Sequence, residues 1–240
     1  MEGEGRSADY QGLSELPSVI AAAHELKSPL ILMRQLSLEL GETRDPARAE
    51  VLNQRLRFSL DQSLRLVEQL SLAPRLEDGI FGCEPVETQA VCVQLVDQLG
   101  PLAKHLSVNL DFNPKRQPLV ALANRDLLPA LLVNLCDNAL SYTPAGGRVE
   151  ITAARHGSGV RLSVRDQGPS ISRSAYRQLK HHLGKSAQPL GARPRSSGLG
   201  LWIAGRYAEA MSAKLSLVKH RGQGLTFAVD LPKSEQLSLL

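Results

Sequence analysis

Aromatic side chains, cysteines and long apolar runs are all scarce in this sequence. Only 4% of its 240 residues are aromatic, whereas 42% are hydrophobic, so aliphatic side chains must fill any core. No apolar run approaches the roughly 20 residues that a membrane-spanning helix needs. We therefore expect a chain without a membrane span, large enough for one or two domains.

The cysteines and the charge exclude further classes of protein. Cys83, Cys92 and Cys136 are odd in number and show no CxxC spacing, which argues against a disulfide framework and against a metal cluster. The first ten residues are polar and glycine-rich, unlike a signal peptide, so we expect a cytoplasmic protein. The net charge is +4, but aromatic residues do not alternate with the basic ones, so nucleic acid is not the expected partner.

The N-terminal part of the chain predicts a helical hairpin over residues 13–74, after a disordered stretch over residues 1–12. Apolar residues recur at helical spacing on both sides of a turn at Thr43–Pro46. Two helices cannot bury both of their apolar stripes alone, so we expect a homodimer that forms a four-helix bundle. The alternative is a hairpin that packs on its own C-terminal domain.

The C-terminal part predicts an α/β domain over residues 83–233, between a linker at 75–82 and a tail at 234–240. Expected strands and helices follow in mixed order, and residues 168–197 show little periodicity. The helical segments are predicted at 89–106, 126–142 and 199–211, and the strands at 83–88, 108–112, 118–123, 149–155, 160–166, 215–218 and 225–231.

His24 is the candidate nucleophile of the hairpin. It lies in the segment Ala23-His24-Glu25-Leu26-Lys27-Ser28-Pro29-Leu30. A neutral imidazole is nucleophilic near pH 7, and the neighbouring Glu25 can act as its general base. Ser28 shares the helix face of His24, and Pro29 should kink the helix. The alternative is an ordinary solvated or packed histidine.

The helix predicted over 126–142 carries a polar face beside its apolar stripe. Asn134, Asn138 and Tyr142 follow one another at intervals of four residues. An asparagine oxygen can ligate Mg²⁺ on a triphosphate, and a tyrosine ring can stack on a purine. The alternative is a solvated polar face.

Two glycine-containing segments complete the candidate site. Asp166 ends a strand and precedes Gly168, so its carboxylate could accept a hydrogen bond from the exocyclic amine of adenine. Gly198-Leu199-Gly200-Leu201 opens a helix, where backbone N–H groups can approach phosphate. Taken alone, each segment could be an ordinary turn.

The order of these patterns resembles that of the sensor histidine kinases of two-component systems, over nearly the whole chain. The matching segments are the phosphoacceptor box His24–Leu30, the N box Asn134–Pro144, the G1 box Asp166–Ile171 and the G2 box Gly198–Leu201. The resemblance implies an α+β fold, in which the hairpin is followed by a two-layer sandwich of the Bergerat ATP-binding type.

The resemblance also implies a role for each site residue. Asn138 would ligate Mg²⁺, and Asp166 would contact the adenine of ATP. The remaining nucleotide-binding residues would be Asn134, Tyr142, Gly168, Gly198, Leu199, Gly200 and Leu201. His24 would accept the phosphoryl group, and Ser28 occupies the family position linked to dephosphorylation of the partner, a response-regulator receiver domain. Sensor input would come from a separate chain or from a region missing here.

The chain departs from the family pattern at several positions. Ser170 replaces the second glycine of the G1 box, Ser141 stands where a basic residue often approaches phosphate, and no F box with phenylalanine is found between Ile171 and Arg195. These changes affect the expected ATP affinity more than the fold. Basic residues without any acidic neighbour between Ser170 and Ser197 could compensate, namely Arg173, Arg177, Lys180, Lys185, Arg193 and Arg195. They could equally be solvated or contact a partner.

Three functions follow from these patterns. The first is an autophosphorylating histidine kinase, possibly with phosphatase activity. The second is an ATP-hydrolysing member of the Bergerat superfamily, but those enzymes usually carry a glutamate as the base where this chain has Asn134. The third is a non-catalytic or phosphatase-biased dimeric scaffold with a degenerate nucleotide site.

Overall fold

A computed structural model describes residues 16–72, 82–185 and 199–234 of the chain. The chain divides into two compact units, Met1–Leu72 and Ala73–Leu240. The predicted disordered stretch 1–12, residues 75–81 of the predicted linker and residues 235–240 of the predicted tail lie outside the described residues. The domain boundaries therefore stay predictions.

The first unit contains two helices, α1 (Leu16–Glu42) and α2 (Pro46–Leu72). Asp45 caps α2, because its Oδ1 accepts the Ala47 N–H at 3.0 Å, and a proline at the first helical position needs no hydrogen-bond partner. The Ser59 hydroxyl of α2 donates to the Pro29 carbonyl of α1 at 3.3 Å. Nearer the turn, Arg48 of α2 lies 4.0 Å from Glu39 of α1. Because positions at similar distances from the turn meet in both places, the two helices form the antiparallel hairpin that the sequence predicts.

The second unit contains four helices and seven strands among its described residues. In chain order they are β1 (Glu84–Glu87), α3 (Thr88–His105), β2 (Asn109–Phe112), β3 (Val120–Ala123), α4 (Leu127–Tyr142), β4 (Arg148–His156), β5 (Gly159–Arg165), α5 (Arg173–His182), α6 (Leu199–Ala210), β6 (Lys214–Lys219) and β7 (Leu225–Leu231).

The strands form a two-stranded sheet, β1–β3, and a five-stranded sheet in the order β2-β4-β5-β7-β6. Strands β2 and β4 are parallel, and the other neighbours in the large sheet are antiparallel. Along β4 the side chains alternate, with Val149, Ile151 and Ala153 buried on the face that packs against helices. The unit is therefore the two-layer α/β sandwich of an α+β protein that the sequence predicts.

The core of this unit is aliphatic, as the low aromatic content requires. Helix α4 supplies a continuous buried stripe that includes Leu128, Leu131 and Leu135, all with 0% exposure. It packs against α6 and β5. Because α4 is fixed along its length by apolar contacts, the polar residues on its other side are held in constant positions.

Helix α5 lies within residues 168–197, where the sequence shows little periodicity and no helix is predicted. The Ser172 hydroxyl caps this helix by accepting the Ala175 N–H at 3.1 Å, and Leu179 is the buried side chain of the helix. The sequence does not predict this helix, because one buried leucine among basic and polar residues gives almost no apolar periodicity.

No helix among the described residues is both long and apolar enough for a membrane span.

Candidate functional site

The polar side of α4 lies at the centre of the candidate site. Asn134 is only 6% exposed, and its Nδ2 donates to the Ala130 carbonyl at 3.0 Å. Its Oδ1 is directed toward the start of α6, since a β-carbon on Gly200 would lie 3.2 Å from that oxygen. Asn134 is therefore a buried residue held between two helices, which argues against a merely solvated polar face.

Asn138 lies one turn further along α4. Its Nδ2 is buried and finds no hydrogen-bond partner among the residues that the structure describes. Buried side-chain amides are nearly always hydrogen-bonded, so this position fits a group supplied by a ligand. A half-turn about the last side-chain bond exchanges Nδ2 with Oδ1, so the same position also suits an oxygen that ligates Mg²⁺.

No cluster of three or more His, Cys, Asp or Glu side chains that could hold a metal ion occurs in the described parts of the chain. Mg²⁺ on a nucleotide typically takes its ligands from phosphate oxygens, water and one or two protein oxygens, and the Asn138 side chain could supply one of these.

The loop after β5 packs against the end of α4. A β-carbon on Gly168 would lie 2.9 Å from Asp166 Oδ1, 3.0 Å from the Tyr142 carbonyl oxygen and 3.2 Å from Tyr142 Cβ. In addition, the Gln167 N–H donates to Thr143 Oγ1 at 3.3 Å. The N box and the G1 box are thus brought together, and glycine is required at position 168 because there is no space for a side chain.

Asp166 is completely buried and is oriented by backbone groups. Its Oδ1 accepts the N–H of Gly168 at 2.8 Å and the N–H of Leu225 at 3.1 Å. The Asp166 N–H donates in turn to the Leu225 carbonyl at 2.9 Å. These bonds hold the carboxylate to backbone groups at the end of β5 and the start of β7, so the sheet sets its direction.

Gly224 and Leu225 are site residues that the sequence does not single out. The N–H of Gly224 donates to the Gly168 carbonyl at 2.9 Å, next to the bonds that hold Asp166. The signal in the sequence is the turn Gly222-Gln223-Gly224 immediately before a predicted strand. Its pairing with the end of β5 is a long-range contact that no local pattern indicates.

The G2 box is described from Leu199 onward, and Gly198 lies outside the described residues. The side chains of Leu199 and Leu201 are 0% and 5% exposed, so they belong to the core rather than to a ligand-contact surface. Any contact of these residues with phosphate must use their backbone N–H groups at the N-terminus of α6.

The phosphoacceptor segment lies within α1. The backbone of His24, Glu25 and Ser28 is helical, as the sequence predicts, while their side chains lie outside the described residues. Pro29 is inside the same helix. The structure therefore supplies the helix for this box and leaves the roles of the three side chains as predictions.

Helix α5 presents a polar and basic stripe. Its residues Ser174, Arg177, Gln178, His181 and His182 line a shallow cavity of about 480 Å³. The opposite side is attached to the sheet, because the Tyr176 hydroxyl donates to the Leu217 carbonyl at 3.0 Å. Of the other predicted basic residues, Arg173, Lys180 and Lys185 are exposed, and Arg193 and Arg195 lie outside the described residues.

Comparison with protein families and curated proteins gives consistent matches. Residues 123–235 match the family described as histidine kinase-, DNA gyrase B- and HSP90-like ATPase. The chain is 31% identical over 218 residues to the swarming motility regulation sensor protein RssA of Serratia marcescens. It is 33% identical over 219 residues to the sensor protein kinase PmrB of Pseudomonas aeruginosa. Each alignment covers 89% of this chain and 45% of the relative, so the chain spans less than half the length of these relatives.

Solved structures match the fold. The histidine kinase ThkA in complex with the response regulator protein TrrA gives a TM-score of 0.64 at 20% identity, covering 94% of this chain and 64% of that one. Full-length ShkA in complex with AMPPNP gives 0.58 at 24% identity, covering 91% of this chain and 45% of that one. At these identities the structural likeness establishes the fold.

Proposed function

We propose, since this chain belongs to the sensor histidine kinases of two-component systems, that it is an ATP-dependent protein histidine kinase. It phosphorylates His24 and passes the phosphoryl group to an aspartate of a response regulator. The proposed location of the reaction is the cytoplasm, where ATP is available. The observation that carries the proposal is the convergence of the three predicted boxes of the second unit around α4.

This convergence depends on close glycine contacts. Gly168 lies against Asp166 and Tyr142, and Gly200 lies against Asn134. The site thus combines a fixed carboxylate, the Asn138 amide nitrogen that finds no hydrogen-bond partner among the described residues, and a helix N-terminus. These groups suit an exocyclic amine, a phosphate-bound cation and a phosphate, respectively. ATP carries all of these features.

Each residue of the site has a role in the proposed reaction. The Asp166 carboxylate accepts a hydrogen bond from the adenine amine and so orients the nucleotide. Asn138 would hold Mg²⁺, which when bound neutralises charge on the phosphates. The backbone at Leu199 and Gly200 stabilises phosphate oxygens, and Tyr142 lines the purine pocket.

The transfer forms a bond between an imidazole nitrogen of His24 and the γ-phosphorus of ATP, while the bond from that phosphorus to the β,γ-bridging oxygen breaks and ADP leaves. Glu25 accepts the proton that the imidazole loses. In the second step the phosphoryl group moves to the regulator's aspartate and His24 becomes free again. Ser28 occupies the family position linked to dephosphorylation of the regulator, in which water takes the phosphoryl group from the aspartate and inorganic phosphate leaves.

The hairpin surface supports a homodimer. Large apolar side chains are exposed along both of its helices, among them Leu30 at 56%, Leu38 at 60% and Leu64 at 52%. In the second unit, Val93 and Val218 are the exposed large apolar residues among those described. Because such a concentration of exposed aliphatic groups is unfavourable in water, a second copy of the hairpin is the proposed partner. Light scattering should give the mass of two chains.

A titration with Mg²⁺·ATP separates the kinase from its alternatives. The proposal predicts saturable binding at micromolar to millimolar nucleotide, with incorporation of the γ-phosphoryl group into protein. The absence of binding at millimolar ATP would favour a scaffold. Steady ATP hydrolysis by a His24→Gln variant would instead favour the ATP-hydrolysing enzyme.

A further inference from the structure

Helix α6 touches the turn after α5 through two glycines. A β-carbon on Gly205 would lie 2.2 Å from Gly184 Cα and 2.6 Å from the Gly184 carbonyl oxygen. A β-carbon on Gly184 would lie 2.8 Å from Gly205 Cα. Both residues are buried, and Gly184 has a φ of +70°. The two backbones are therefore in direct contact, and neither position has space for a side chain.

Glycine inside a helix is unfavourable, because it gains no packing and loses more backbone freedom on folding than other residues. Position 205 is in the middle of α6, so the close approach to Gly184 is the physical reason for glycine there. Gly100, in the middle of α3, provides the contrast, since a β-carbon at that position would meet nothing within 4 Å. A helix glycine is thus required at 205, whereas no residue beyond its chain neighbours requires one at 100.

The other end of α6 makes a second close contact on a different side of the helix. Gly200 approaches Asn134 of α4 and lies five positions before Gly205 in the chain. At about 100° per residue, positions 200 and 205 point roughly 140° apart. Helix α6 is therefore held between α4 and the α5 turn. A methyl group at 205 must push α6 toward Asn134 or displace the turn.

Rotation of α6 cannot relieve this strain. Ile203 and Tyr207 are both 0% exposed, so turning the helix would break the packing of its core face. With a methyl group at position 205, α6 must therefore shift as a whole. This shift changes the distance between the N-terminus of α6 and the polar side of α4. Such a shift would also move the backbone N–H groups at the N-terminus of α6, which are proposed to contact phosphate.

We propose that Gly205 and Gly184 act as a positioning pair that sets where the N-terminus of α6, whose backbone N–H groups face the nucleotide phosphates, lies relative to Asn134 of α4. This inference rests on the proposed function, because it assigns the N-terminus of α6 to nucleotide phosphates. Neither glycine touches the nucleotide, so their effect passes through Gly200 and Asn134.

The test compares Gly205→Ala with the matched control Gly100→Ala, using calorimetric titration with Mg²⁺·ADP at a temperature where circular dichroism shows both variants fully folded. We expect the dissociation constant to rise at least tenfold in Gly205→Ala and to stay within twofold of wild type in Gly100→Ala. A Gly205→Ala variant with a lower melting temperature but unchanged affinity would overturn the inference, because a merely structural glycine behaves in that way.

Gly184→Asn provides a milder variant if Gly205→Ala does not fold. Asparagine tolerates positive φ, and its β-carbon would meet Gly205 at 2.8 Å rather than 2.2 Å. A severalfold rise of the dissociation constant is expected, and an unchanged value would contradict the positioning role. If the wild-type chain binds no Mg²⁺·ADP, the proposed function itself fails, and this inference fails with it.

Discussion

Gly224 lies against the backbone of Asp166, so closely that a β-carbon on Gly224 would be 1.9 Å from the Asp166 carbonyl oxygen. Gly224 also has a φ of +84°, a conformation that other residues rarely adopt. The strand that carries Asp166 and the turn before β7 are thus joined by a contact that only glycine allows. The position of the Asp166 carboxylate depends on this contact.

Gly224→Ala should therefore destabilise the second unit and disturb the site together. The methyl group meets both a steric clash and an unfavourable φ, which predicts a loss of at least about 3 kcal/mol in the free energy of unfolding. Gly222→Ala is the matched control, because nothing lies within 4 Å of its β-carbon, and a change within about 0.5 kcal/mol is expected. Urea denaturation measures the free energy of unfolding of both variants. Equal values for the two would contradict the close contact between Gly224 and Asp166.

Asp166→Asn should weaken nucleotide binding and change its base preference. The loss of a charged hydrogen bond to the adenine amine predicts a Kd for Mg²⁺·ADP that is about ten- to a hundredfold higher. Wild type should prefer ADP over IDP, in which an oxygen replaces that amine, and the variant should lose most of this preference. Asp126→Asn is the control, since the Asp126 side chain makes no capping bond to α4. An unchanged ratio of ADP to IDP affinity would exclude Asp166 as the adenine-contacting residue.

The ion pair between Arg161 and Asp230 should make stability acid-sensitive. Arg161 donates from Nε and Nη2 to the two Asp230 oxygens at 2.6 and 2.7 Å, and these hydrogen bonds hold the pKa of Asp230 below its ordinary value. A carboxyl group with a lowered pKa stabilises the fold above its unfolded pKa of about 4, and this stabilisation is lost as the pH falls through the folded pKa.

Asp230→Asn should therefore lower the melting temperature at pH 5–7 by an amount equivalent to about 1 kcal/mol, with the difference from wild type shrinking below about pH 4. Asp111→Asn, at the more exposed pair with Arg148, should have a smaller effect. Melting curves from pH 2.5 to 7 measure both. A difference that grows as the pH falls would contradict the assigned direction.

The three cysteines should differ in reactivity. Cys92 and Cys136 are both 0% exposed, and burial raises the pKa of the Cys92 thiol to about 12 and that of Cys136 well above its ordinary value. Cys83 is partly exposed, and burial raises its pKa as well. Because the thiolate is the reactive form, an aromatic disulfide reagent at pH 8 should label Cys83 first and the other two only after denaturation. Rapid labelling of all three cysteines in the native protein would contradict the burial of Cys92 and Cys136 in the core.

The elements with strong periodicity were predictable from the sequence. Strand β7 occupies residues 225–231 as expected, and α4 begins one residue later than predicted. The turn that ends in Asp45-Pro46 predicted the start of α2, because proline is favoured at the first position of a helix. Helix α5 was missed, because Leu179 is its one fully buried side chain.

The contacts that build the site could be predicted only in part. The residue types of Asn134, Asn138 and Asp166 indicated a ligand surface. The approaches of Gly168 to Tyr142, and of Gly205 to Gly184, could not be read from the chain, because they join backbone segments that are distant in sequence. A glycine in a sequence gives no sign of whether a neighbour fills the space where its side chain would be.

Incubation with γ-labelled ATP of wild-type protein and a His24→Gln variant tests the central claim most directly. We predict labelling of wild type that is stable in alkali and lost in acid, as expected for a phosphorus–nitrogen bond, and no labelling of His24→Gln, whose affinity for Mg²⁺·ADP stays at the wild-type value. Equal labelling of the two proteins, or a label that survives acid, would contradict the claim that His24 accepts the phosphoryl group.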